Sequence, residues 1–142
     1  MLKLKIKKLH PDAVIPKYAT SGAACFDLTA VDKIYDPANG IIEYRTGLAF
    51  EIPEGYVGNI YPRSSVYKTC LSLVNSVGKV DCDYRGEVKA FFRIVNRVPN
   101  DYEIGDRICQ MEIVPVHQVE FEEVDELTLT ERGEGGFGST GR

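Results

Sequence analysis

Gly47-Leu-Ala-Phe-Glu-Ile-Pro-Glu-Gly-Tyr-Val-Gly-Asn-Ile-Tyr61 best indicates the fold, because it contains two short apolar runs separated by turn residues. The runs Gly47–Ile52 and Val57–Tyr61 are rich in the β-branched and aromatic residues that favour strands. Pro53 lies between them, where it interrupts regular structure and excludes a long helix. The stretch therefore predicts two β-strands joined by a turn.

The same pattern of short runs between turn residues extends along the rest of the chain. Leu2, Leu4 and Ile6 alternate with lysines, which predicts a strand with one solvated face. Seven prolines divide the chain at intervals too short for long helices. Further strand-like runs are Ile41–Tyr44, Glu87–Asn96 and Arg107–Val116. Many short strands of this kind predict an all-β single domain, a sandwich, jelly roll or β-barrel.

One stretch departs from the strand pattern. Val66, Cys70 and Leu73 have roughly helical spacing within Ser64–Leu73, directly after Pro62-Arg63. A serine at the start of an apolar periodic segment is a common helix N-cap. We therefore expect one short helix in this stretch.

The composition restricts the class of protein. A chain of 142 residues with 44% hydrophobic and 27% charged residues fits one globular domain. Apolar runs fall short of the ~20 residues of a membrane span, and the alternating start lacks the apolar region of a signal peptide. We expect a soluble intracellular protein, cytoplasmic or nuclear, with no membrane partner. The net charge of −4 argues against nucleic-acid binding but allows a local basic pocket for a nucleotide.

The four cysteines are Cys25, Cys70, Cys82 and Cys109, and their spacing includes no C-x-x-C pair. A zinc site needs closely spaced cysteines or histidines, so this spacing argues against one. We expect reduced thiols that serve as small core residues.

The C-terminal segment 131–142, Glu-Arg-Gly-Glu-Gly-Gly-Phe-Gly-Ser-Thr-Gly-Arg, has five glycines and cannot form a stable helix or strand alone. Arg132, Ser139 and Thr140 carry donors for phosphate oxygens, and Phe137 offers a flat apolar face. One interpretation is a flexible lid that closes over a nucleotide bound to the domain formed by residues 1–130. The alternative is a disordered Gly/Ser-rich end.

The densest polar cluster lies in Asn75–Gly86, where two glycines indicate turns. Asn75, Asp81 and Tyr84 are expected to share a pocket wall. A carboxylate near a bound anion can act as a general base, and an amide suits the edge of a pyrimidine. A tyrosine ring can pack on a sugar face and exclude an extra hydroxyl. The alternative is an Asp/Asn/Gly turn with Tyr84 in the core.

Weaker candidates lie on either side of this cluster. Arg63 with two following serines near a helix start would form an anion site, or else an ordinary N-cap beside a surface arginine. Asp27 and Gln110 are polar residues in apolar strand-like segments. Such residues are either hydrogen-bonded in the core or directed into a site.

Taken in order, five segments resemble the motifs of the trimeric dUTPase (dUTP diphosphatase) family over nearly the whole chain. They are Ala23–Leu28, Pro62–Ser65 with Lys68, Asn75–Gly86, Gly105–Gln110 and Arg132–Gly141. The resemblance implies cleavage of dUTP to dUMP and pyrophosphate, a β jelly roll, and a homotrimer in which each site takes residues from three chains. It also implies Mg²⁺ on the triphosphate, reached by Asp27 through a bound water.

The resemblance also implies roles for individual residues. Asp81 matches the general base that activates water for attack on the α-phosphorus, and Gln110 matches a residue that orients phosphate and water. Asn75 matches a uracil-contacting amide, and Tyr84 matches the aromatic residue under the deoxyribose. The implied phosphate-binding and lid residues are Arg63, Ser64, Ser65, Arg132, Phe137 over the uracil, Gly138, Ser139 and Thr140.

Two positions depart from the family pattern. Ser65 replaces a usual glycine, and Lys79 replaces a usual apolar residue before Val80-Asp81. Neither departure removes a group that performs chemistry. Two alternatives stay open: an enzyme of the related dCTP deaminase branch, and a nucleotide-binding regulatory protein on the same fold.

Overall fold

The computed structural model describes residues 2–96 and 98–141. This part of the chain forms ten β-strands and one short 3₁₀ helix at Ser64–Lys68. The strands are β1 (Lys5–Lys8), β2 (Phe26–Thr29), β3 (Asp32–Asp36), β4 (Ile41–Arg45), β5 (Leu48–Glu51), β6 (Tyr56–Pro62), β7 (Leu71–Leu73), β8 (Gly78–Val80), β9 (Lys89–Ile94) and β10 (Arg107–Pro115).

Eight of these strands form two antiparallel four-stranded sheets. One sheet has the order β2-β10-β6-β8, and the other has the order β3-β4-β9-β7. Strands β1 and β5 form a separate antiparallel pair. In the first sheet the long strand β10 pairs with both β2 and β6. Its register with these two strands decides which polar residues lie side by side.

The hydrophobic core contains side chains from both sheets. Ile42 and Tyr44 alternate with half-buried residues along β4, which is the period of two that a sheet with one buried face requires. Tyr44, Phe92 and Tyr102 form an aromatic cluster with ring centroids 5.6 to 6.1 Å apart and edge-on geometry. Such pairs add about 0.5–1.5 kcal/mol each beyond the burial of their surface.

Two glycines allow close approach in this core. A Cβ on Gly58 of β6 would lie 2.7 Å from Met111 Sδ of β10. Gly47 has a φ of +65°, and a Cβ there would lie 2.7 Å from His10 Cβ. A larger residue at Gly58 would therefore push apart β6 and β10, and one at Gly47 would displace the N-terminal segment around His10.

The all-β single-domain prediction is confirmed, and the strand-like runs match β4, β5, β6, β9 and β10 to within two residues at each end. The predicted helix is shorter than its spacing suggested. It ends at Lys68, and its last apolar residues form β7, because Leu71–Leu73 pair with β9. Arg63 occupies the N-cap position, without a side-chain cap.

The predicted N-terminal strand is also shorter, since β1 begins at Lys5. Strands β2, β3, β7 and β8, of three to five residues each, were not among the predicted runs. Over residues 2–96 and 98–141, no helix is long and apolar enough to cross a membrane.

All four cysteines are free thiols. Cys70 and Cys109 are buried, as the sequence predicted, and burial raises the pKa of the Cys109 thiol to about 12. Cys25 and Cys82 are only half-buried, but Cys82 still packs against the core, so the prediction that the cysteines serve as core residues is wrong for Cys25 alone. Both half-buried cysteines flank polar positions of the site, where the sheet surface meets solvent.

Candidate active site

The outer face of the sheet β2-β10-β6-β8 carries two of the predicted polar residues. Phe26 and Leu28 of β2 are buried, so Asp27 between them points to the opposite face. Gln110 on β10 is the direct register partner of Asp27. The period of two therefore places both side chains on one surface, outside the hydrophobic core.

Asp27 holds two arginines side by side. Arg63 Nε donates to Asp27 Oδ1 at 2.8 Å, and Arg107 Nη1 donates to Oδ2 at 3.0 Å. Each contact uses one N–H group of a guanidinium that has five, so most donors stay available to an anion. The carboxylate thereby assembles a compact positive site on the sheet surface.

Gln110 and the serines lie next to this pair of arginines. The Gln110 side chain donates from Nε2 to Pro62 O at 2.9 Å, which fixes the amide and leaves its oxygen able to accept from water. Ser64 is exposed at the start of the 3₁₀ helix, and Ser65 Oγ lies 3.4 Å from Arg63 Nη1. Because this helix has only five residues, side-chain donors rather than a helix dipole would bind an anion here.

A second group of predicted residues lines a pocket of about 250 Å³ beside strand β8. Asn75, Asp81 and Tyr84 contribute polar groups to its wall. The apolar part of the lining is Ile60, Leu73, Val80, Val88, Ala90 and Phe91. An apolar pocket with a few polar groups at its rim suits a flat ring that carries polar edges.

Tyr84 is held at the surface of this pocket and not in the core, with 45% of its surface exposed. Its hydroxyl donates to Glu87 O at 3.1 Å, and its ring covers Gly86, where a Cβ would strike it. Glu87 in turn accepts from Arg45 Nη2 at 2.6 Å and from Gly47 N at 2.8 Å. The segment that carries Asp81 and Tyr84 is therefore fixed at its C-terminal end by a nearly buried carboxylate.

The glycine-rich segment stands apart from both groups. Phe137 is fully exposed, and Arg132 Nε donates within the segment, to Gly135 O at 2.8 Å. Among the described residues, no hydrogen bond or ion pair connects residues 131–141 to the sheets or to the pocket. The structure brings Asp27, Arg63 and Gln110 together, and separately Asn75, Asp81 and Tyr84, but not the tail residues.

Sequence reasoning missed Arg107 as a site residue. It begins β10, and its contact with Asp27 depends on the β2–β10 register across 80 positions of sequence. The available signal was its place in Gly105–Gln110, three residues before Gln110.

The described residues include no cluster of three or more His, Cys, Asp or Glu side chains with metal-binding geometry. Asp27 nevertheless fits a water-mediated contact to a cation, because a carboxylate has about four acceptor sites and the two arginines occupy two of them. Mg²⁺ commonly keeps several waters and binds through substrate phosphates, so this donor set suits it.

The dUTPase family model matches residues 11–141. The chain belongs to the dUTPase family. It is 46% identical, over 99% of both chains, to the deoxyuridine 5'-triphosphate nucleotidohydrolase of Hydrogenobaculum sp.. The resemblance inferred from the five motifs is therefore confirmed.

Solved dUTPase structures share the fold. The Staphylococcus bacteriophage 80alpha dUTPase with dUPNHPP matches with a TM-score of 0.86 and 27% identity, over 100% of each chain. A mutant dUTPase of phage phi11 of S. aureus, described as coordinating a structural Mg(II) ion, matches with a TM-score of 0.75 and 24% identity over 88% of this chain. The second likeness is one of fold.

Proposed function

We propose that this dUTPase hydrolyses dUTP to dUMP and pyrophosphate, with Asp81 as the general base. The observation that carries the proposal is the pocket that brings Asn75, Asp81 and Tyr84 to one wall. Its size and lining suit a pyrimidine deoxynucleoside, and family membership supplies the reaction. The dCTP deaminase alternative and the regulatory alternative have no observation in their favour.

The chemistry follows from a carboxylate beside a triphosphate. Asp81 accepts a proton from a water molecule as the water oxygen forms a bond to the α-phosphorus. The bond from the α-phosphorus to the bridging oxygen breaks, and pyrophosphate leaves with those electrons. Gln110 orients the water and a phosphate oxygen. Positioning and charge neutralisation supply most of the rate advantage, since phosphoryl transfer needs little covalent help.

Selectivity for the nucleoside rests on the pocket wall. The Asn75 amide offers one donor and one acceptor to the uracil edge. Tyr84 is fixed over Gly86 by its bond to Glu87 O, so its ring cannot move away to admit a ribose hydroxyl. Turnover of dUTP should therefore exceed turnover of UTP.

The triphosphate is bound by arginines and hydroxyls from two regions. Arg63 and Arg107 are already assembled by Asp27, and Ser64 and Ser65 lie beside them. Residues 131–142 act as a lid whose Phe137 covers the uracil. The other lid contacts are Arg132, Gly138, Ser139 and Thr140. Ordering this lid costs about 1–2 kcal/mol per residue of backbone entropy, so it closes only when phosphate contacts offset that cost.

A bound Mg²⁺ would neutralise part of the triphosphate charge and make the α-phosphorus easier to attack. Asp27 would hold it through a water. Because Asp27 also holds both arginines, this carboxylate would couple the metal to the phosphate-binding side chains. Loss of activity on chelation, restored by added Mg²⁺, would test this role.

The active enzyme is proposed to be a homotrimer with shared sites. In the single chain the arginine group, the pocket and the tail are not joined. Large apolar side chains between β10 and the tail are also exposed, which is unusual for a monomer. They are Val119 (66%), Phe121 (92%), Val124 (50%), Leu127 (85%) and Leu129 (100%).

Mixing two inactive variants tests the shared site. A chain with Asp81→Asn and a chain lacking residues 131–142 should each have little activity when assembled alone. Mixed trimers regain activity if one site takes Asp81 and the tail from different chains. No recovery after confirmed exchange of subunits would show that each chain builds its own site.

The proposed reaction is tested by pyrophosphate release from dUTP with Mg²⁺, measured beside dTTP, UTP and dCTP. Asp81→Asn should lower kcat by about 10²-fold or more, the usual contribution of a general base. Asp83→Asn is the matched control, because Asp83 is an exposed carboxylate two residues away that lies outside the pocket lining. Equal losses in both variants, or release of ammonia from dCTP, would contradict the proposal.

A further inference from the structure

A series of polar contacts crosses the outer face of the sheet β2-β10-β6-β8, from its edge strand β8 to the inner strand β10. Lys79 Nζ on β8 donates to Asn59 Oδ1 on β6 at 2.6 Å. Asn59 Nδ2 donates to Glu112 Oε1 on β10 at 3.2 Å, and Tyr61 Oη donates to the same oxygen at 2.6 Å. The hydroxyl, the amide and the Lys79 charge together lower the pKa of Glu112, which favours the charged form of this carboxylate.

Asn59, the middle residue of this series of contacts, is unusually well fixed for an outward-facing side chain. Asn59 is only 6% exposed, because its neighbours cover it. A cation binds its carbonyl oxygen and a carboxylate binds its amide nitrogen, so the amide has a single favourable orientation. A hydrogen bond to a charged partner is roughly twice as strong as a neutral one.

Strand β8 needs such an attachment. It has three residues, lies at the edge of its sheet and, within residues 2–96 and 98–141, pairs with β6 alone. Asn59 and Lys79 are direct register partners in that pairing. Asp81 follows the last residue of β8, and the backbone turns there, with Tyr84 N donating to Asp81 O at 3.2 Å. Movement of β8 would therefore move Asp81 directly.

We propose that Lys79 is a positioning residue for catalysis, which fixes the Asp81 carboxylate by binding strand β8 to the charged Asn59–Glu112 pair. Lys79 lies in the lining of the pocket, but its ammonium group donates to Asn59, so it acts through the strand and not on the substrate. The inference rests on the proposed role of Asp81 as general base.

The expected signature is a change in kcat without a matching change in KM. A small misplacement of a reacting group can lower the rate by up to about 10²-fold, whereas substrate contacts elsewhere are unaffected. Lys79→Met keeps the unbranched stem and removes the charge, and we expect kcat to fall by roughly 10- to 100-fold. KM should stay within about twofold, because uniform binding of substrate is unchanged.

Two further variants control the experiment. Lys79→Arg keeps a donor for Asn59 and should recover most of the lost kcat. Lys33→Met removes a comparable contact, Lys33 Nζ to Asp101 at 2.8 Å, from the edge strand β3 of the other sheet, and should leave kcat unchanged. Hydrogen exchange at the amides of residues 78–81 should be faster in Lys79→Met than in the unmodified enzyme and Lys33→Met.

The outcomes separate the possible roles. A rise in KM with kcat unchanged would mean that Lys79 binds the triphosphate directly, and unchanged kinetics would mean that it has no role, so either overturns the inference. If Lys79→Met does not fold, the test uses Lys79→Arg and Lys79→Leu, of which only the second, which has no donor for Asn59, should lose kcat. Turnover retained in Asp81→Asn would instead overturn the proposed base, whatever the Lys79 variants do.

Discussion

Residues 5–115 and residues 116–141 differ in how their functional side chains are held. In the first region Asp27, Arg63 and Gln110 each have a hydrogen-bond partner from a distant part of the sequence, and Tyr84 is bonded to Glu87 O three residues away. In the second region Val116 N donates to Gly55 O at 2.9 Å, and every other hydrogen bond of the described residues joins near neighbours in sequence. The groups closest to the chemistry are therefore fixed by folding, whereas the groups that would cover the substrate are not.

This difference separates stability from activity. The cost of ordering a sheet residue is met once, when the chain folds. The cost of ordering a tail residue has to be met in every binding event, by contacts with substrate or with another chain. Substitutions in the sheets should therefore change the free energy of unfolding, and substitutions in the tail should change catalysis alone.

The largest effect should follow deletion of residues 131–142. The lid contacts to base and phosphates are lost together, so turnover of dUTP should fall by about 10²-fold or more, as when preorganised donors are removed. The thermal midpoint should stay within about 2 °C of the full chain. Full turnover, or a large loss of stability, would remove the distinction between the two regions.

Glu87→Ala should have the next largest effect, a decrease in the free energy of unfolding. It leaves the Arg45 guanidinium and the Gly47 amide without their carboxylate, whose side chain is 9% exposed. Unfolding in urea at fixed chain concentration should show a loss of about 1–3 kcal/mol.

Glu51→Ala is the matched control for Glu87→Ala. It removes an ion pair with Lys5 whose side chains are 47% and 75% exposed. Such a pair contributes less than about 1 kcal/mol. Similar losses of unfolding free energy in the two variants would mean that the burial of Glu87 does not help to fix the segment that carries Asp81 and Tyr84.

Phe137→Ala should have a moderate effect confined to the substrate. Loss of one stacking contact of about 0.5–1.5 kcal/mol corresponds to a rise in KM of roughly 2- to 13-fold. The free energy of unfolding should not change, because Phe137 is fully exposed. An unchanged KM would argue against contact between Phe137 and the base.

Tyr102→Phe should have the smallest effect. The Tyr102 hydroxyl is buried, and it has no hydrogen-bond partner in the described part of the chain. Removing an unsatisfied group while keeping the ring should leave the free energy of unfolding within about 1 kcal/mol, or raise it. A larger loss, measured in urea, would reveal a partner such as a buried water.

Local features of the fold and site could be predicted from the sequence. Asn75, Asp81 and Tyr84 lie within ten positions of one another, so their common pocket follows from one short segment. The alternation along β4 and the runs that became β6 and β10 were visible for the same reason. The roles of these residues in catalysis stay predictions.

Features that depend on register could not be predicted. Arg63 and Arg107 meet on Asp27 because β10 lies between β2 and β6, and no local pattern gives that order. The helix predicted to extend to Leu73 stops at Lys68 because pairing with β9 outweighs helical spacing. Tertiary contacts decide both cases.

The pair of arginines on Asp27 has a consequence for the rate of substrate capture. The chain carries a net charge of −4, so it repels large polyanions such as nucleic-acid backbones. Within that field, Asp27 offsets only one of two adjacent positive charges and leaves a small attractive region. A compact triphosphate can enter this region while a long polyanion is held off. Association with dUTP should therefore slow as ionic strength rises, and the less charged product should leave more easily than the substrate.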